Sequence, residues 1–246
     1  MVKECRALRP ASKRDDTDEA RGMKAAARRE IRTAVTRSQT DRVEAWLAAV
    51  GWNAMHYVLT FAPENRPKSY DGVRRALKSF MQAVRQERKK GGQSATLACV
   101  IIIEGLHEPY HVHLIADADE LPYETAQRLW WRGLVKPPEW VLLDKSGFYR
   151  LARYFCKEKA DDFRIPVGKQ PRSCSRALRE RLSEVERWRS ESGIIRAPEN
   201  AICFSTPTGA PAVFDNGWGC YAKLRYIVPD GTRACKRAMK RMGYRV

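Results

Sequence analysis

The order of elements in this sequence predicts an α+β fold: a central antiparallel sheet with packed helices, of the ferredoxin-like and RNA-recognition type. Three observations carry that expectation. A β-rich run, "MHYVLTFAP", opens a new texture at Met55 after a highly charged beginning. Two apolar strands, "SATLACVIIIEG" and "YHVHLIA", follow each other across the short connection "GLHEP". Segments with a helical period fill the other connections, giving strand, helix, strand, strand, helix, strand, helix.

The elements follow in chain order. Residues 1–52 read as a helical N-terminal arm. "DEARGMKAAARREIRTAVTRS" is rich in Ala, Arg and Glu without Pro, and "TDRVEAWLAAVGW" has Thr40 or Asp41 as cap and Gly51 as stop. Pro63 ends the first strand. "SYDGVRRALKSFMQAVRQERKK" places Val73, Leu77, Phe80, Met81 and Val84 at helical spacing, and Gly91 and Gly92 stop it. The run around "VIII" is apolar on both faces, which requires cover on both sides of the sheet. "PYETAQRLWWRGL" is a helix with Pro122 in its first turn, "EWVLL" a strand, and "SGFYRLARYFCKEKA" a helix. These elements make a domain spanning residues 53–165. Beyond it, 166–246 is a basic C-terminal extension in which "SRALRERLSEVERWRS" reads as a helix.

Charge narrows the function. The chain of 246 residues carries 46 Lys+Arg against 29 Asp+Glu, a net of +17, with 43% hydrophobic residues. That composition fits a folded domain with a polyanionic partner, nucleic acid first. No apolar run is long enough to span a bilayer and the first residues lack the apolar middle of a signal peptide, so a cytoplasmic protein without a membrane partner is expected. The seven cysteines include no CxxC pair and point to neither a disulfide framework nor structural zinc.

Three of the four histidines fall within residues 104–116, "EGLHEPYHVHLIA". On a strand, His111 and His113 project side by side, while Tyr110, Val112 and Leu114 face the other way into a core. Two imidazoles on one face make a metal platform. Glu104, at the end of the preceding strand, is placed by hairpin pairing opposite or nearly opposite His111 and is the expected third ligand. A solvated sheet face is the plain alternative for the pair taken alone. His107, in the connection, and His56, which has no partner in the sequence, read as structural.

In "FYRLARYFCKE", Phe148, Leu151, Ala152 and Phe155 form the buried stripe. Tyr154 lies roughly 110° from its centre, with Arg150 and Lys157 as neighbours on the same side of the helix. Cations favour a phenolate. A tyrosine of pKa about 10 is only ~0.1% ionised at pH 7, and full ionisation needs roughly 4 kcal/mol. Lys157 alone does not supply that, whereas a metal-polarised phosphate narrows the gap. Base stacking or a surface position equally fits an aromatic between basic residues.

In order, "YVLTF" (57–61), "HVHLI" (111–115) and "YFCKE" (154–158) resemble the three motifs of HUH-superfamily rolling-circle replication initiators, most closely those of filamentous and microvirus-type phages and related plasmids. The similarity covers residues 55–160. It implies a metal-dependent endonuclease that nicks and rejoins single-stranded DNA at a replication origin through a 5′-phosphotyrosine, leaving a 3′-OH to prime synthesis in a bacterial host cell. By motif, His111, His113 and Glu104 would bind Mg²⁺ or Mn²⁺, Tyr154 would be the nucleophile and Lys157 would assist at the phosphate. Some phage relatives carry two tyrosines one helical turn apart. Here Tyr149 precedes Tyr154 by five residues, roughly 140° around the helix, so one nucleophile is expected. The tyrosine follows the histidines, unlike the usual relaxase order. No GxxxxGK[ST] occurs, so unwinding is left to a separate helicase.

Three basic blocks would carry the phosphate backbone. Residues 66–90 hold nine Lys/Arg against two acids and residues 223–246 eight against one, with 164–189 the third. Thr60, Arg150, Arg74, Arg75 and Lys78 are the expected DNA contacts. Trp130, Trp131, Trp188 and Trp218 are candidates for base stacking, with Trp130 and Trp131 equally suited to a core. The alternatives are a mobile-element strand transferase with the same chemistry and a non-catalytic nucleic-acid-binding module on the same fold.

Overall fold

The sheet at the centre of the protein has five antiparallel strands, in the order Val135–Trp140, Ala54–Thr60, His111–Asp117, Cys99–Glu104 and Arg172–Cys174. The computed structural model describes residues 38–105, 109–144, 146–156, 169–183, 198–204, 212–215, 220–223 and 225–244. The chain divides into two units, Met1–Gln39 and Thr40–Val246, and the described residues lie in the second apart from residues 38 and 39.

Strands β1 (Ala54–Thr60), β2 (Cys99–Glu104), β3 (His111–Asp117) and β4 (Val135–Trp140) are joined by α2 (Tyr70–Lys90), by the short 105–110 connection and by α3 (Tyr123–Leu129). This is the expected βαββαβ arrangement. A helix over residues 38–50, α1, precedes it. After it come α4 (Tyr149–Cys156), the edge strand β5 (Arg172–Cys174), α5 (Arg176–Ser183), the short strand pairs β6 (Ile202–Cys203) with β9 (Tyr226–Ile227) and β7 (Ala212–Asp215) with β8 (Cys220–Lys223), and α6 (Arg233–Arg241).

Alternation along the strands divides two cores, one on each face of the sheet. On one face Tyr57, Leu59, Val112 and Leu114 pack with Val73, Leu77, Phe80 and Val84 of α2 and with Trp130. On the other, Val100, Ile102 and Ile115 pack with Val43, Leu47 and Val50 of α1, Ala152 and Phe155 of α4, and Leu178 of α5. The two-sided burial of β2 read from its apolar run is borne out.

Several local readings change. Helix α1 already runs at residue 38, so Thr40 is a buried internal position rather than a cap. Its Val43, Leu47 and Val50 belong to the core beneath the sheet. The strand expected at "EWVLL" runs instead over Val135–Trp140, with Val141 and Leu143 buried just beyond it. β4 borders only β1, so Pro137 and Pro138 forfeit no pairing on a second side. The polar tripeptide of β5 carries no periodic signal, yet it pairs with Val100, Ile101 and Ile102 of β2. From the C-terminal extension, α6 is capped by Thr232, and Arg241 stacks over Trp140 at 3.6 Å.

Candidate metal centre

Register assembles the centre. β2 and β3 pair with Glu104 opposite His111 and Ile102 opposite His113, and β1 sets Thr60 opposite His111 and Val58 opposite His113. Directly opposed residues share a face. His111, His113, Glu104, Thr60 and His56 therefore project to the side of the sheet that α4 covers.

Glu104 Oε2 lies 3.7 Å from His111 Nε2 and 3.6 Å from His113 Nε2. These spacings exceed hydrogen-bond length. They are shorter than twice a metal–ligand bond of about 2.1 Å, so one cation can touch the carboxylate and either ring. The three donor atoms lie within 4.8 Å of one another, and the group could hold a metal ion.

The remaining ring nitrogens are engaged. His111 Nδ1 is 3.3 Å from the Pro109 carbonyl oxygen, which only a protonated nitrogen can contact favourably, leaving Nε2 with its lone pair toward Glu104. His113 Nδ1 is 2.8 Å from His56 Nε2. Burial pushes His56 down to about 4, with the neighbouring His113 adding to the shift and Glu104 opposing it, so His56 is neutral at neutral pH. With His56 Nε2 as acceptor and His113 Nδ1 as donor, the His113 Nε2 lone pair is free to bind a cation. That nitrogen is buried without a hydrogen-bond partner. A buried polar atom of this kind normally has one. A cation between the rings and the carboxylate would give the orphaned His113 nitrogen a partner.

Backbone form helps to fix Glu104. Gly105, immediately after it, has φ +114°, and a Cβ there would lie 2.8 Å from the Pro109 carbonyl oxygen and from Tyr110 Cα. Only glycine lets the chain close so tightly beside both ligating strands.

Above this group stands α4. Phe148, Ala152 and Phe155 are buried as the helical period requires, Leu151 is partly buried, and Tyr154 is 48% exposed. The Tyr154 ring meets His113 edge-on at 6.3 Å between centroids, and Phe155 packs against both His113 and His56. The C-terminal end of α4 is tied to the sheet by Arg172 of β5, whose Nη1 donates to the Phe155 carbonyl at 3.0 Å. Tyr149 turns elsewhere, under the Arg225 guanidinium at 5.0 Å.

The structure thus brings Glu104, His111, His113 and Tyr154 together and sets Thr60 beside them, where its hydroxyl donates to the Leu134 carbonyl. Arg150 is exposed and pairs with Asp144 at 3.6 Å. Arg74, Arg75 and Lys78 lie on the exposed side of α2, whose buried side packs on the opposite face of the sheet from the histidines. Lys157, His107, Trp188 and Trp218 lie outside the described residues. His56 and Arg172 are the residues that sequence reasoning missed. The even-numbered positions of β1 could have placed His56 on the histidine face once β1 was paired with β3, whereas nothing in "RSC" marks Arg172.

Comparison with protein-family models, curated proteins and solved structures found no match.

Proposed function

We propose that this protein is a metal-dependent enzyme that nicks and rejoins single-stranded DNA, with Tyr154 as nucleophile, of the kind that initiates rolling-circle replication. The observation that carries the reading is the edge contact of an exposed tyrosine with His113 directly beside a His₂Glu group suited to a divalent cation. The net charge of +17 fits the polyanionic substrate.

Glu104, His111 and His113 would hold the cation, Mg²⁺ or Mn²⁺, which when bound supplies Lewis-acid polarisation of a phosphoryl oxygen. The protein's own residues do the rest. The Pro109 carbonyl and His56 fix the two imidazoles so that both present Nε2 to the same point. Tyr154 lies on the open side of α4, and Arg172 holds the end of that helix against the sheet. A phosphodiester laid between them receives the Tyr154 oxygen at phosphorus as the bond to the 3′ oxygen breaks. The phenol gives up its proton and the departing 3′ oxygen takes one up, so a 5′-phosphotyrosine and a 3′-OH result. Reversal rejoins the strand. Lys157, three residues beyond Tyr154 in sequence, is assigned to the leaving oxygen on the motif resemblance alone.

The test is incubation of the protein with single-stranded DNA containing its candidate origin, in Mn²⁺ or in EDTA, followed by a denaturing gel and peptide mapping. The expected result is a Mn²⁺-dependent covalent adduct on Tyr154 that Tyr154→Phe abolishes. Binding without an adduct on any origin-bearing strand would leave a nucleic-acid-binding module in its place.

A further inference from the structure

Trp130 and Trp131 are adjacent in sequence and opposite in fate. Trp130 is buried at 1% exposure and packs edge-on against Phe61 and Phe80, while Trp131 is the most exposed large hydrophobic side chain described, at 65%. An exposed indole offers a flat apolar face on which a planar partner can stack. The Arg132 guanidinium lies 4.2 Å from the Trp131 ring centroid, so a cation covers part of the aromatic surface.

The segment that displays this pair is rigidly fastened. Thr60 N donates to the Leu134 carbonyl and Ala62 N to the Arg132 carbonyl, both at 2.9 Å, and Trp130 Nε1 donates to the Thr60 carbonyl at 2.7 Å. A Cβ on Gly133 would lie 2.2 Å from the Thr60 carbonyl oxygen, so the two backbones are in direct contact. Thr60 is also the residue paired with His111. The Trp131 segment therefore runs beside the end of β1 that carries Thr60, two strand spacings, on the order of 10 Å, across the sheet from β3.

We propose that Trp131, backed by Arg132, is a stacking platform for an unpaired base of the single-stranded DNA that passes the metal group. The proposal rests on the nicking reading for its substrate. Single-stranded DNA is favoured over a protein partner by charge, since the chain is strongly basic and the Arg132 guanidinium lies against the ring. Stacking needs an open base face, so a duplex does not satisfy the platform. Trp140, at the other end of β4 and stacked by Arg241, provides an internal control.

The experiment measures binding of a fluorescein-labelled mixed-sequence single strand of about 20 nucleotides, in EDTA so that cleavage plays no part. Trp131→Ala is expected to weaken binding roughly tenfold, Trp131→Phe to stay within about threefold, and Trp140→Ala to leave affinity unchanged. Affinity of Trp131→Ala within about twofold of the parent overturns the platform, as does an equal loss for duplex DNA of the same sequence. So does sedimentation showing that the parent self-associates and Trp131→Ala does not, at unchanged DNA affinity, because the ring then belongs to an interface between copies. A normal Mn²⁺-dependent adduct with no binding loss in Trp131→Ala removes the platform and leaves nicking standing. Binding loss in a protein that forms no adduct does the reverse.

Discussion

His56 shows how much a single side chain can set at this site. Its neutral imidazole occupies His113 Nδ1 and leaves Nε2 for a cation, a task that any residue unable to accept a hydrogen bond would not perform. His56→Ala is therefore expected to lower Mn²⁺ affinity about 10- to 100-fold by calorimetry. His113→Ala or His111→Ala should go further and abolish Mn²⁺-dependent cleavage while single-stranded DNA binding in EDTA stays largely intact; parallel loss of both would sink the metal assignment. Tyr149 is engaged with Arg225 rather than with the histidines. Tyr149→Phe should thus keep forming adduct in the denaturing-gel assay, whereas a loss equal to that of Tyr154→Phe would end the single-nucleophile reading.

At the scale of elements, the centre is a product of helices held against one face of a sheet. Helix α4 can offer Tyr154 to the histidines only because Ala152 and Phe155 anchor its other side in a core completed by α1 and α5. Helix α1, which the sequence groups with the charged N-terminal arm, is part of that support. Leu47 is fully buried there. Leu47→Ala leaves a cavity and is expected to cost about 2–5 kcal/mol in urea denaturation. A negligible cost would mean that α1 does not bear on the core. β5 adds to this support a hydrogen bond from Arg172 to the last turn of α4, with Cys174 packed against the same core.

Over the whole molecule the dominant property is positive charge. Because each neutralised phosphate of a single strand releases condensed counterions, the slope of log affinity against log salt should be steep, about −0.7 for every phosphate contacted. Raising KCl from about 50 to about 200 mM is expected to weaken single-stranded DNA binding roughly tenfold or more. A flat response would remove the phosphate backbone from the interaction. Among the described residues, one basic cluster lies away from the centre, however. Arg74, Arg75 and Lys78 occupy the helix that covers the opposite face of the sheet, so a contact between them and the nicked phosphate itself does not follow from their charge.

Local pattern was enough for the strand and helix order through residue 156, for the two-sided burial of β2, for His111 and His113 on one face, for Glu104 beside them and for Tyr154 off the buried stripe. Each follows from a period of two or of 3.6 residues, or from pairing across a short connection, and such relations are written in neighbouring residues. The tertiary structure alone decided that His56 meets His113, that Arg172 holds α4, that Trp130 is core and Trp131 is not, and that the basic face of α2 lies away from the metal group. Those relations join residues 17 to 70 positions apart. They depend on which strands become neighbours and which face each helix covers, and that is settled by the joint packing of two cores rather than by any stretch of sequence.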